Sequence, residues 1–448
     1  MKIPVRLQAI TAIPTLFAVT PSPAFASLTP DIGSASSGVQ QSTAATTVAF
    51  VGATVWDGTG SEPTSGATIV VTDGTIVSVS TTGGIPADAE IVLLEGKYVI
   101  PGLIDTHAHV SGRWMENGED DIVERVKADL GLFAAYGVTT VNSLGDAVEV
   151  IEARDEIADA AGLAALLASG PVITAREPSE AAASAREVVA AGADWLKLRI
   201  DDNLGTSEKM PWQAVEAVVN VGREAGVPVA THIFYLEDAR RALEMGAGLI
   251  AHSVRDADVD DEFTTGLTES GVCYVPTLTR EVSTFVYGRR PGFFDEEFFT
   301  ARAMASEVER LSDSTYMEQV RTSETAARYR VALVQALSNL TALNEAGVRI
   351  AFGTDAGPPG RFPGFFEHME LALMVGGAGL TPTEALRTAT GTAAECLGLD
   401  NVGTLEPGKR ADFLVLGASP FRDITNTKTL EQVYVGGRPV LEEEDGEG

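Results

Sequence analysis

The sequence predicts an α/β fold, a (β/α)8 TIM-like barrel carrying a small β-sandwich domain built from both termini. Three observations point there. Between residues 101 and 400, eight short, β-branched apolar runs alternate with longer segments of helical spacing, and strands so uniformly apolar suit a parallel sheet buried on both faces. Outside that stretch the period drops to two, with hairpin turns at Asp73-Gly74 and Gly436-Gly437. Four of the five histidines, with one lysine and one aspartate, stand at the ends of the apolar runs.

Taken in order, residues 1–26 read as a secretory signal. Lys2 and Arg6 precede an apolar stretch, and Ala24-Phe25-Ala26 offers a small-x-small cleavage site before Ser27. An N-terminal helix of the mature fold is the alternative. The expectation is an exported protein, periplasmic or secreted, with no membrane anchor, since no cysteine lies near the junction. Residues 27–45, rich in Ser, Thr, Ala and Gly, read as a flexible lead-in. Residues 46–100 supply the N-terminal part of the β domain and 401–441 its C-terminal part, so the barrel, 101–400, is an insertion. The barrel strands are expected at 103–107, 138–143, 165–173, 195–200, 227–232, 249–252, 272–277 and 348–353. An open doubly wound sheet competes, but no glycine-rich phosphate loop follows the first strand.

Thr381-Pro382-Thr383-Glu384 reads as a capping box that starts the last barrel helix. Residues 279–345 exceed an ordinary loop and carry aromatic pairs, so they are expected to cover the barrel mouth or to pack outside it. Residues 442–448 form an acidic tail. Cys273 and Cys396 fall in core elements far apart and are expected as buried free thiols, although export permits a disulfide.

A formal charge of −31 repels nucleic acid and anionic membranes. No internal run approaches the roughly 18 apolar residues that a membrane span needs. The partner is therefore expected to be a small molecule, and a homo-oligomer is left open.

The polar residues at the strand ends carry the chemistry. His107 and His109 are two apart, so both rings point to one side and can grip one cation. Asp355 closes the last strand, beside the first in a closed barrel, and can reach the same ion. His232 and His252 end consecutive strands and suit a second ion. Lys197, mid-strand and doubly buried, would carry an unpaired charge at a cost of several kcal/mol. Its neutral amine can instead take up carbon dioxide and bridge two metals as a carbamate; the alternative is an ion pair with Asp201 or Asp202.

In PGLIDTHAHV, WLKLRI, THIF, AHS, GTDAG and VGTLEPGKRADFLVL, the chain resembles the amidohydrolase superfamily, in its imidazolonepropionase-like and prolidase-like branch with a carboxylated lysine. The resemblance implies two divalent metal ions, zinc first, with manganese, cobalt or iron also compatible. It implies His107, His109 and Asp355 on one metal, His232 and His252 on the other, and carboxylated Lys197 between them. It also implies hydrolysis by a metal-activated hydroxide, with Asp355 as the catalytic proton shuttle.

The expected substrate is a small amide: a dipeptide, an N-acyl amino acid or a relative. Esterase, lactonase or phosphotriesterase activity at the same site is a second reading, and a noncatalytic metal or ligand binder a third. Arg199 shares strand parity with Lys197 nearer the mouth and is a candidate partner for a substrate carboxylate; Tyr235, Arg255, Tyr274 and Arg280 follow other strand ends and are further candidate substrate contacts. His368, inside FFEHMELALMV, is expected to pack or cap.

Overall fold

A computed structural model describes residues 46–110, 114, 121–158 and 160–440. The signal segment 1–26, the lead-in 27–45 and the acidic tail 442–448 lie outside the described residues. No helix among the described residues is long and apolar enough to cross a membrane.

The two ends of the chain share one sheet. Strands β1 (Thr47–Val55), β2 (Thr64–Thr72), β3 (Thr75–Ser80), β4 (Glu90–Leu93) and β5 (Tyr98–Pro101) join three strands from the far end. Along one edge, β1 takes β4 as partner over its first half and β5 over its second. The sheet folds back on itself, because the Asp73-Gly74 turn hydrogen-bonds to the far end of the chain, with Ala411 N–H on the Gly74 carbonyl at 2.8 Å. Inside the fold Phe50, Phe413 and Tyr434 pack with centroids 4.7–4.9 Å apart. The expected two-layer sandwich is thus one continuous sheet doubled over its own core.

The barrel is built from β6 (Leu103–Ala108), β7 (Val138–Gly145), β8 (Ala165–Pro171), β9 (Leu196–Arg199), β10 (Val229–His232), β11 (Leu249–Ala251) and β12 (Cys273–Val275), all parallel. A bridge between Ile173 and Leu198 joins the two halves, and another between Tyr274 and Ile350 adds the eighth staves. The ring closes where Thr106 donates to the Phe352 carbonyl at 2.9 Å and Thr354 to that of His107 at 3.2 Å. The expected eighth strand, 348–353, is an irregular extended segment: Phe352 gives its N–H to the Thr388 carbonyl, 3.0 Å away, so the ladder is interrupted. The C-terminal strands of the β domain are β13 (Phe413–Leu416), β14 (Leu430–Val435) and β15 (Arg438–Pro439).

The capping box is present at helix Pro382–Thr388. Within 279–345, Phe293 and Phe299 pack against Phe365 and Phe362 with centroids 5.1 and 4.8 Å apart, propping the loop that follows Asp355. The long helix Glu324–Glu345 then leads into the eighth segment.

The cysteines are not free thiols. Cys273 of β12 and Cys396 of helix Gly391–Leu397 form a disulfide across 123 residues, their Cα atoms 6.0 Å apart. Ala393, Ala394 and Leu397 of that helix share one buried cluster with Cys273 and Val275, which brings the two sulfurs together. Opening so long a loop is expected to destabilise the fold. Cys273→Ser/Cys396→Ser should lose about 2–4 kcal/mol in urea unfolding, and reductant should move the wild type towards the variant.

His368 packs, as expected. It is 1% exposed, its Nε2 donates to the Tyr136 carbonyl at 2.8 Å, and its Nδ1 lies 2.9 Å from the Thr427 hydroxyl. Burial pulls its pKa from 6.5 down to about 4. Between those values the unfolded chain holds a proton that the folded chain refuses. Stability is therefore full above pH 6.5 and falls as the pH drops, by up to about 1.4 kcal/mol per unit. Relative to His368→Gln, the wild type should lose about 2 kcal/mol more between pH 7 and 5; equal losses would show that the imidazole is protonated when folded.

Candidate metal centre

The polar strand ends converge at one rim of the barrel. His107 lies on β6 and His109 just beyond it. The Asp355 N–H donates to the His107 carbonyl at 2.6 Å, which fastens the eighth segment against β6. Asp355 has φ of +59°, a left-handed conformation costly for a residue with a Cβ and concentrated at working sites. Gly357 has φ of +110°, and a Cβ there would meet the His109 carbonyl at 2.3 Å. The second glycine of GTDAG is what lets the two segments pass so closely.

His107, His109 and Asp355 each offer a ligand atom within 4.8 Å of the others. Nε2 of His109 is 2.9 Å from Oδ1 of Asp355, and Nε2 of His107 is 3.7 Å from the same oxygen. Beside them, Nε2 of His252 is 2.9 Å from Nδ1 of His232, and the His107 and His252 rings lie 4.6 Å apart. Pairing of β9 with β10 sets Lys197 level with Ala230, one inward step below His232.

Lys197 is 2% exposed, and its Nζ is 3.1 Å from Nε2 of His107. Among the described residues it makes no ion pair. Asp201 faces His232 at 3.4 Å and Asp202 accepts from the Tyr235 hydroxyl at 2.8 Å, so the expected alternative partners are occupied elsewhere. Burial brings the Lys197 amine down to about 7 against the pull of Asp355. A large share of the amine is then neutral near pH 7, the form that attacks carbon dioxide.

The surroundings divide the imidazoles. Burial and the nearby Lys197 charge keep His107 well below the usual range, and burial brings His232 to about 4. Burial with the neighbouring His232 keeps His252 low as well. Burial also opposes protonation of His109, but the Asp146 and Asp355 carboxylates outweigh it and raise this group to about 9. Burial works against an ionised Asp355, yet the adjoining Arg361 guanidinium and His109 keep it far below the usual carboxylate value. His107, His232 and His252, neutral, and Asp355, ionised, are in the states in which these side chains ligate a cation, and His109 would release its proton on joining them. This donor set therefore fits divalent metal.

A cavity of about 300 Å³ opens over the cluster, with Arg199, Arg280 and Arg361 in its wall. Arg280 pairs with Glu281 at 2.9 Å and Arg361 with Asp355. Arg199 has no ion-pair or hydrogen-bond partner among the described residues. Three other candidate substrate contacts lie away from the cavity. Tyr274 alternates with the inward Cys273 and Val275, so it points out towards Phe263, its hydroxyl accepting from Val254 N–H at 2.7 Å. Arg255 is buried against Glu281 at 3.2 Å and stacks on Phe234. Tyr235 is tied to Asp202 and lies under Lys209.

Two residues were not singled out in sequence. Asp146 lies 3.4 Å from Nδ1 of His109 and accepts from Val110 N–H at 2.7 Å; its signal is a carboxylate just past the end of β7. Arg361, in the loop that follows Asp355, carries no local signal.

A family model described as "Amidohydrolase family" matches residues 98–440. Imidazolonepropionase of Deinococcus radiodurans is 26% identical over 396 residues, 83% of this chain and 91% of its own. That of Deinococcus deserti is 49% identical over 85 residues, which span 19% of this chain and 21% of the relative. Among solved structures, a Bifidobacterium longum protein described as a prolidase superposes with a TM-score of 0.72 at 27% identity, over 89% of this chain and 95% of that one.

Proposed function

Because the chain belongs to the amidohydrolase family, metal-dependent hydrolases of carbon–nitrogen bonds, we propose that it cleaves a small amide bearing a carboxylate, such as an N-acyl amino acid or a dipeptide. The observation that carries this reading is Lys197, buried against His107 with no carboxylate partner among the described residues, under a cavity walled by arginines. His107, His109 and Asp355 would hold one divalent ion, zinc first, and His232 and His252 a second, with carboxylated Lys197 between them. When bound, the ions supply Lewis acidity, acidifying water for attack and polarising the scissile carbonyl.

The protein's own groups do the rest. Asp355, fixed by Arg361 and His109, accepts the proton of the attacking water and delivers it to the leaving nitrogen. Arg199, unpaired among the described residues, receives the substrate carboxylate at the mouth. Arg280 adds positive potential behind it. In this reading the enzyme is exported, to which the Cys273–Cys396 disulfide lends support, since such bonds persist in oxidising compartments.

Elemental analysis of the purified protein, run with a panel of N-acyl amino acids, dipeptides, their carboxamide-capped forms and matching esters, tests the proposal. The expected result is two metal ions per chain and a preference for amides with a free carboxylate. Faster turnover of esters or lactones, or indifference to the carboxylate, would sink the substrate assignment.

A further inference from the structure

The two ring nitrogens of His232 face different neighbours. Nδ1 lies 2.9 Å from Nε2 of His252, and both residues line the cavity. Nε2 lies 3.4 Å from Oδ2 of Asp201. Asp201 is 2% exposed, and His232 is the only cationic or imidazole side chain in ion-pair reach of it among the described residues. The other candidates are engaged elsewhere, Arg255 and Arg280 with Glu281 and Lys197 with His107. An ionised carboxylate accepts hydrogen bonds and cannot donate. Facing Asp201, a neutral His232 keeps its proton on Nε2, which leaves the Nδ1 lone pair turned into the cavity.

We propose that Asp201 is a positioning residue that selects this tautomer of His232 and so presents Nδ1, alongside Nε2 of His252, to a divalent cation. The metal half of the inference rests on the reading under Proposed function; the tautomer half does not. Two other imidazoles of the site, His109 and His252, also have an oxygen on the ring nitrogen that faces away from the cluster. Asp146 faces Nδ1 of His109 while Nε2 points to Asp355, and the Thr277 hydroxyl sits 2.6 Å from Nδ1 of His252 while Nε2 points to His232. Thr277 is held at φ of +49°, a left-handed position that a β-branched residue rarely adopts. Acceptors behind ligating imidazoles commonly account for roughly 10–100-fold in metal affinity.

Two measurements on the full chain test this. In the metal-free protein with 15N-labelled histidine, long-range 1H–15N spectra should show His232 protonated on Nε2, assigned by its loss in His232→Gln. In Asp201→Asn the Nδ1-protonated form should appear, because the amide can donate to Nε2. Zinc titration against a chelator should then show one of two ions held roughly 10–100-fold more weakly in Asp201→Asn, with Asp201→Glu recovering part of the loss. A wild-type His232 protonated on Nδ1 overturns the proposal, even if the variant does not fold. A folded Asp201→Asn with unchanged tautomer and unchanged zinc affinity also overturns it. A wild type that binds no zinc defeats the metal reading instead, and the spectra still decide the role of Asp201.

Discussion

Asp355→Asn is expected to keep most of its bound metal and to lose turnover by roughly 10²–10⁴-fold, the usual worth of a positioned acid–base group. The amide retains an oxygen for the cation but has almost no affinity for a proton. In the structure one carboxylate oxygen lies 2.9 Å from Nε2 of His109 and the other is paired with Arg361. Those contacts position the group. An asparagine can keep the first and weakens the second, so binding and chemistry should separate: kcat falls while metal content, read by elemental analysis, stays near that of the wild type. Near-normal kcat in a metal-loaded variant would remove Asp355 from the proton path.

Replacing Lys197 should be more damaging, because it removes the shared ligand. Lys197→Ala is expected to bind both ions weakly and to lose activity by about 10³-fold or more, in proportion to metal-ion catalysis worth several kcal/mol. Lys197→Arg should not rescue it, since a guanidinium stays charged and forms no carbamate. In the wild type, 13C-labelled bicarbonate should yield a carbamate resonance that Lys197→Ala lacks. Metal-free stability should hardly drop in Lys197→Ala, since a buried amine without a carboxylate partner contributes little to the fold. A variant that binds two ions as tightly as the wild type would eliminate the bridging role.

Much of this architecture was legible in the chain. Buried parallel strands announce themselves as short apolar runs, and a polar residue ending such a run stands out against them; that is how His107, His109, Lys197, His232, His252 and Asp355 could be named together. The Thr381 capping box and the Asp73-Gly74 hairpin are equally local. Tyr274 shows the limit of that reading. Its place near a strand end suggests a substrate contact, yet the period-two alternation of β12 turns it to the outer face.

What depended on the closed ring could not be read this way. The pairing of Cys273 with Cys396 needs helix Gly391–Leu397 to land against β12, 123 residues away in sequence. Arg361 reaches Asp355 only because the loop between them folds back, and Asp146 and Asp201 matter only through the imidazoles they face. Local patterns of burial and turn chemistry determined the strands, the helices and the residues at their ends. Which of those ends meet, and which carboxylate stands behind which histidine, was decided by barrel closure, because contacts between distant segments depend on packing geometry that no short window of sequence contains.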